Sequence, residues 1–321
     1  MKTILNCRIQ VKAPAKINLF LEVTGRRRDG YHNLATIFAR LALCDTLTFK
    51  KGRVPGISLK VTGLRIPGLK EPEDNIVYKA AAAFLRAFGI KPAVEIRLFK
   101  ALPSGAGLGG GSSDAAAALL GLCRLYGIPR AVNMRKLLRL ASALGSDVPF
   151  FLLDSPMAAG TGRGVRLKPV KFRGRAPRVV LAYPGAPVST GKVYGRLKLA
   201  PAREIKTRLA EFRGFVKSLE SGVFDASRVF NRLEDAVLPV NPRVRGAKRG
   251  LAGLLRLTIA SQDHVPSKPW RRRTGPGAEA VLMSGSGAAV FALVRGLKKA
   301  RALAAAASRN RSYRVFLTEF C

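Results

Sequence analysis

The residues Leu102-Pro103-Ser104-Gly105-Ala106-Gly107-Leu108-Gly109-Gly110-Gly111-Ser112-Ser113-Asp114 have the types and spacing to hold a phosphate group. Glycine has no Cβ, so the backbone reaches positive φ and comes close to a ligand. Ser112, Ser113 and Asp114 are cap-type residues placed where a helix begins. Free N–H groups and the positive end of a helix dipole then converge on one point, an arrangement that suits an anion. Stepping outward, Val94–Phe99 alternates as a strand does, and the Ala/Leu-rich run Ala115–Leu125 reads as a helix stopped at Gly127-Ile128-Pro129. A flexible linker would need neither neighbour.

Two better-known glycine patterns fail here. Gly105-x-Gly107-x-x-Gly110 fits the dinucleotide fingerprint, but that pattern wants an acidic residue roughly 20 positions on. None lies between Asp114 and Asp147. Gly185-Ala186-Pro187-Val188-Ser189-Thr190-Gly191-Lys192-Val193 has one residue too many between its glycines, and Val193 where a P-loop needs a hydroxyl for magnesium.

Around the loop the chain reads as an alternation of strands and helices. Ile9–Val23 suggests two short strands divided at Pro14, and Asp29-Gly30 is a turn signal. Ala35–Leu43 is apolar and Thr46–Phe49 a further strand; Asp74-Asn75-Ile76-Val77 caps a helix through Phe88, and Asn133 caps another to Leu144. Val179–Tyr183 is a buried strand, Lys298–Ser308 a helix, and Arg314–Phe320 a last strand. The composition shifts near residue 155, where a domain boundary is expected. Leu257–Thr274 has no sustained period and carries two prolines, so it reads as a surface insertion or disordered loop.

Composition sets outer limits. A hydrophobic fraction of 48% supports real cores and argues against disorder. No apolar run approaches the ~20 residues of a membrane span, and Met1–Arg8 lacks the apolar core of a signal peptide. Cys7, Cys44, Cys123 and Cys321 are scattered, which disfavours a zinc site or disulfide framework and points to a reduced cytoplasm. Lys and Arg number 57 against 19 Asp and Glu. That excess exceeds what a nucleotide substrate needs, and it predicts weak, non-specific association with nucleic acid through a basic surface. It does not identify a function.

The pattern Leu102-Pro103-x4-Gly107-Leu108-Gly109-Gly110-Gly111-Ser112-Ser113 resembles the phosphate loop of the GHMP kinases, which transfer the γ-phosphoryl of ATP to a small alcohol or phosphate. Further stations are similar to one branch of that family, whose acceptor is a cytidine diphosphate-linked methylerythritol of the non-mevalonate isoprenoid pathway. They are Ala13–Leu21, Gly25-Arg26-Arg27 with Asp29–His32, Gly145–Phe151, Pro184-Gly185 with Val188–Thr190, Asn231–Glu234 and Met283–Gly287. They run in the family's order across nearly the whole chain. Arg28 and Gly162-Arg163-Gly164-Val165 depart from the pattern.

The resemblance implies a two-lobed α+β fold. Residues 1–155 would form a ribosomal-protein-like ATP-binding domain, rejoined by the strand near 314–321. Residues 156–313 would form a ferredoxin-like second domain carrying the insertion at 257–274. It further implies ATP and Mg2+ as cofactors, with Asp147 as base and Lys16 as its cationic partner. Gly105, Gly107–Ser113 and Pro103 would hold the phosphates, with Ser112 or Ser113 near magnesium and Lys100 and Asn75 at the adenosine end. Asn18, on the same strand face as Lys16, Tyr31, His32, Tyr194, Gly285, Ser286 and Gly287 would meet the acceptor. A GHMP kinase for a different alcohol is the nearest alternative, and a basic nucleic-acid-binding protein on a kinase fold a more distant one.

Overall fold

A computed structural model describes residues 8–260 and 279–321. The chain opens with two long strands, β1 (Ile9–Arg26) and β2 (His32–Lys51). Pro14 does not divide β1, because its fixed φ lies within the extended range and it removes only one donor. No glycine or proline interrupts β2, so the two apolar pieces expected separately form one strand. Next come β3 (Gly56–Gly63), α1 (Ile76–Ala87) and β4 (Ala93–Lys100), then α2 (Gly110–Leu125), α3 (Arg130–Leu144) and α4 (Val148–Phe151). Helix α3 starts three residues before the expected cap; Asn133 lies inside it and donates from Nδ2 to Pro129 O at 2.9 Å.

The remainder holds β5 (Met157–Gly162), β6 (Arg166–Pro169), β7 (Arg178–Tyr183), α5 (Thr190–Arg196), α6 (Ala202–Glu220), β8 (Phe230–Asn231), α7 (Glu234–Val237) and α8 (Pro242–Ala260). The chain closes with β9 (Ala280–Met283), β10 (Val290–Val294), α9 (Leu297–Ser308) and β11 (Arg314–Thr318). Of the expected insertion, Leu257–Ala260 belong to α8, and residues 261–274 lie outside the described residues. Among the described residues, no helix is long and apolar enough to cross a membrane.

Two sheets organise these elements. In the larger, the order is β3-β4-β2-β1-β8, with β5 also on β2 and β6 on β5. Strand β2 changes partner along its length: Leu34–Ala39 pair with β5, and Thr46–Lys51 with β4. The smaller sheet, β11-β7-β10-β9, is antiparallel throughout, and all of Val290–Val294 on β10 is buried, as befits a central strand. Strand β11 thus joins the smaller sheet, and Phe320 just beyond it bridges Leu41 of β2.

The chain divides into two compact units. One takes in the residues up to Lys16, Leu43–Ser104 and Gly109–Asp154; the other Ile17–Ala42, Gly105–Leu108 and Ser155 onward. One break falls between Asp154 and Ser155, and 17–42 and 105–108 group with the second unit.

In the first unit, α1, α2 and α3 pack on one another, and Val94, Ile96 and Leu98 of β4 turn one face inward. Helix α2 comes very close to the sheet. A Cβ on Gly121 would stand 2.2 Å from the ring of Phe49, which is fully buried. Replacing a mid-helix glycine by alanine ordinarily gains up to about 1 kcal/mol in propensity. Here overpacking decides the sign, and Gly121→Ala should lose about 1–3 kcal/mol. Urea unfolding checks this, and a stabilised variant would show that the contact yields without strain.

Candidate active site

The glycine run is held at its root by charge. Beyond β4 the chain enters it through Ala101 and Leu102, and one carboxylate takes both amides. Asp45 Oδ1 accepts from Ala101 N–H at 2.6 Å and from Leu102 N–H at 2.8 Å. Its Oδ2 accepts from Lys100 Nζ, and Asp114 Oδ2 on α2 accepts from the same ammonium at 2.7 Å. All three side chains are at most 3% exposed. Burial pushes the Asp114 carboxyl up to about 7, with Lys100 opposing and Asp45 adding to the shift. Burial alone would lower the Lys100 pKa, but the two carboxylates outweigh it and hold it above the ordinary lysine value. Lys100, expected at the adenosine end of a nucleotide, is therefore committed to two buried partners.

Helix α2 starts earlier than the cap-type residues suggest. Its first residue is Gly110, its N-cap is Gly109 at φ 67°, and no side chain caps it. Ser113 and Asp114 turn inward and are buried, Ser113 Oγ having no hydrogen-bond partner among the described residues, while Ser112 is half-buried. The first turn of α2 thus presents its N–H groups without a side-chain acceptor, as an anion site requires.

Lys16 lies against this turn. A Cβ on Gly109 would be 2.9 Å from Lys16 Cγ and 3.2 Å from the Phe151 ring, so only glycine fits there. Lys16 Nζ reaches Asp147 Oδ2 at 3.3 Å; the lysine side chain is 5% exposed and the aspartate 33%. Asp147 stands at the N-terminus of the short helix α4, with Pro149 in its first turn. The structure therefore brings a nearly buried ammonium, a partly open carboxylate and the N-terminus of α2 together. Asn75 caps α1, its Oδ1 accepting from Val77 N–H at 2.9 Å. Pro103 is buried at the head of the loop.

In the second unit, Gly105 and Gly107 run beside the segment 284–289. Ala288 N–H donates to Gly105 O at 3.2 Å, Ala289 N–H to Ala106 O at 3.0 Å, and Ser284 Oγ to Gly107 O at 3.0 Å. A Cβ on Gly107 would fall 2.0 Å from Ser284 O. Ser286 Oγ pairs with Thr190 Oγ1 at 2.9 Å. Asn18 is buried and donates to Thr36 Oγ1 at 2.7 Å, and that hydroxyl donates on to Phe20 O. His32 and Tyr194 stack on one another, their centroids 5.1 Å apart. Burial, helped by Arg26, holds the His32 pKa below its ordinary value, so the ring is neutral at pH 7 with one donor and one acceptor nitrogen. Tyr31 is half exposed, with the Arg163 guanidinium 3.7 Å above its ring.

Asp45 was not singled out from the sequence. It sits between Cys44 and Thr46 without a motif, and its lysine partner is 55 residues away. A carboxylate inside a long apolar strand was the only available signal. Asp45→Asn keeps an acceptor for the two amides but sets an NH2 group against a buried ammonium. We expect it to cost about 1–3 kcal/mol, as a buried group set against the wrong partner does, Asp114 still pairing the ammonium. Asp114→Asn should show itself through pH. A folded-state pKa of about 7, raised from 3.8, means that the Asp114 contribution is complete below about 3.8 and is lost as the pH rises toward 7. Asp114→Asn should therefore gain on the wild type across that window, as urea unfolding at pH 5 and pH 8 would read. Parallel pH dependences in the two proteins would contradict this.

Residues 75–155 match the family described as GHMP kinases N terminal domain. The 4-diphosphocytidyl-2-C-methyl-D-erythritol kinase of Exiguobacterium sibiricum is 37% identical over 298 residues, covering 92% of each chain. A crystal structure of 4-(cytidine 5'-diphospho)-2C-methyl-D-erythritol kinase superposes with a TM-score of 0.69 at 34% identity, over 97% of this chain and 99% of that one. A homoserine kinase from Cytophaga hutchinsonii, at 18% identity and a TM-score of 0.72 over 100% and 96% of the two chains, shares the fold. The chain has the two-lobed α+β fold of the GHMP kinases and is an ATP-using phosphotransferase that acts on a small molecule. On these grounds it belongs to the 4-diphosphocytidyl-2-C-methyl-D-erythritol kinase family of GHMP kinases.

Proposed function

We propose that the chain transfers the γ-phosphoryl of ATP to the 2-hydroxyl of 4-diphosphocytidyl-2-C-methyl-D-erythritol, with Asp147 as base. The observation that carries the mechanism is the Lys16–Asp147 pair lying against Gly109 at the N-terminus of α2. Phosphoryl transfer asks mainly for positioning and charge neutralisation, plus one group for the hydroxyl proton. Of the loop Gly107–Ser113, the backbone N–H groups up to Ser112 hold the β- and γ-phosphates, since Ser113 N–H already bonds Gly109 O. The acceptor oxygen attacks the γ-phosphorus, the bond to the β-bridging oxygen breaks, ADP leaves, and the hydroxyl proton passes to Asp147. Lys16 stabilises charge on the moving group.

Mg2+ takes oxygen ligands, and among the described residues no carboxylate or histidine cluster is built for a metal. The half-buried Ser112 hydroxyl is the protein oxygen that fits, beside the phosphate oxygens themselves. When bound, the ion neutralises phosphate charge. On the acceptor side, the neutral His32 and its stacked partner Tyr194 offer a flat hydrogen-bonding surface for cytosine, with Asn18, Tyr31 and Gly285–Gly287 as further contacts. The comparisons favour neither another alcohol nor a nucleic-acid-binding role.

The test is ADP release with this acceptor. Asp147→Asn retains size and much of the hydrogen bonding, and should lower turnover by about 10²–10⁴, the usual worth of a positioned general base, with ATP affinity nearly unchanged. Near-normal turnover would remove Asp147 from the chemistry. Equal turnover of homoserine or mevalonate would overturn the acceptor and leave the phosphotransferase standing.

A further inference from the structure

The motif Asn231-Arg232-Leu233-Glu234 has no part in the chemistry above, yet it lies at a junction of buried hydrogen bonds. Residues 230 and 231 form β8, which pairs in parallel with β1 so that Phe230 faces Phe20 and Asn231 faces Leu21. Arg232 N–H continues the ladder to Leu21 O at 2.8 Å. The Arg232 guanidinium then grips Glu22 with two bonds, Nε to Oε1 and Nη2 to Oε2, each 2.8 Å, and Glu22 is fully buried. Glu204 of α6 and Asp235 take further N–H groups of the same guanidinium. A bidentate, buried arginine–carboxylate pair is the strong form of such contacts, so the backbone at 231 is fixed to β1.

From that anchor the Asn231 carboxamide reaches across to another segment. Its Nδ2 donates to Met283 O at 2.9 Å and to Gly285 O at 2.7 Å, while its Oδ1 accepts from Leu233 N–H at 3.0 Å. The orientation of the amide is set by these partners, since two carbonyls need the NH2 and one N–H needs the oxygen. Glu234 adds a bond from the same side, its Oε1 accepting from Met283 N–H at 2.7 Å. The segment so held is the one whose Ser284, Ala288 and Ala289 bind Gly107, Gly105 and Ala106. Val188 N–H also donates to Gly105 O, at 3.2 Å.

We propose that Asn231 is a positioning residue for the phosphate loop: anchored on β1, its carboxamide fixes the carbonyls of Met283 and Gly285, and the segment beyond them sets the backbone of Gly105–Gly107. This rests on the reading of that loop as the ATP site. Asn231 touches no substrate; it acts through the 283–289 segment. Because Gly107 is packed on Ser284 and Gly287 so tightly that no Cβ fits, and Ala288 N–H bonds Gly105 O, a small shift of that segment must be passed on to both.

Asn231→Asp is the sharpest probe. It is the same size and keeps the acceptor for Leu233, but it turns a shared donor into an acceptor facing two carbonyls. Leaving such buried groups unpaired is costly. We expect the dissociation constant for ATP, measured by titration calorimetry without acceptor, and the KM for ATP to rise about ten-fold. Mere loss of folded protein would instead lower kcat at unchanged KM. A folded Asn231→Asp protein that binds ATP like the wild type overturns the proposal. If that variant does not fold, Ser284→Ala decides in its place, since it removes only the hydroxyl bond to Gly107 O. A rise of about three-fold in the ATP dissociation constant supports the relay, and an unchanged value overturns it. Failure of the wild type itself to bind ATP would overturn the kinase reading together with this one.

Discussion

The ammonium of Lys100, closed in between Asp45 and Asp114, is the interaction on which the site depends. A loop made to offer bare N–H groups cannot stabilise itself, because the groups it exposes are those that would otherwise pair internally. Its root must be held by something else. Asp45 does so by taking the Ala101 and Leu102 amides on one oxygen and Lys100 on the other. Asp114 ties the same ammonium to α2. Two carboxylates facing one cation would leave an excess negative charge away from water, and burial, with Asp45 adding to it, pushes the Asp114 carboxyl upward toward its protonated form, the direction that relieves that excess. The cluster is thus poised near neutrality beneath the first turn of α2. A Cβ on Gly110 would lie 3.5 Å from Lys100 Nζ.

With the root fixed, the rest of the site follows from small residues and tight packing. Gly109 takes a left-handed conformation that starts α2 without a side-chain cap, and its missing Cβ leaves room for the Lys16 stem. Lys16 is thereby directed to Asp147. In the second unit the equivalent task falls to Gly105 and Gly107, held by Ser284, Ala288 and Ala289. The glycines contribute chiefly by permitting close approach; Lys16 and Asp147, the side chains we propose for the chemistry, are brought together beside that approach.

Much of this was legible before any coordinates. The strand–glycine–helix succession is local, and so is the Asn75 cap, which the structure shows accepting from Val77. Readings failed where a residue's usual local role was displaced by tertiary partners. Ser113 and Asp114 look like caps, but the helix had already begun at Gly110, and both face inward. Asn133 looks like a cap and instead bonds back to Pro129 from within the helix. Lys100 looks like a free basic residue beside a nucleotide loop, yet its partners are 14 and 55 residues away. The contacts of Asn231, 52 and 54 residues distant, are invisible to any periodicity. Spacing reveals elements, whereas charge and amide pairing across the fold do not repeat and leave no pattern to read.

The central claim is that Lys16 and Asp147 work as one unit at the N-terminus of α2. A double-mutant cycle on turnover, with Asp147→Asn, Lys16→Met and the two combined, measures this directly. Groups that act together lose little more when both are removed than when one is. The combined loss should be much smaller than the product of the two single losses, with ATP still bound by all three variants. Losses that multiply would mean that lysine and aspartate act independently, and would contradict the pairing seen at 3.3 Å as a catalytic arrangement.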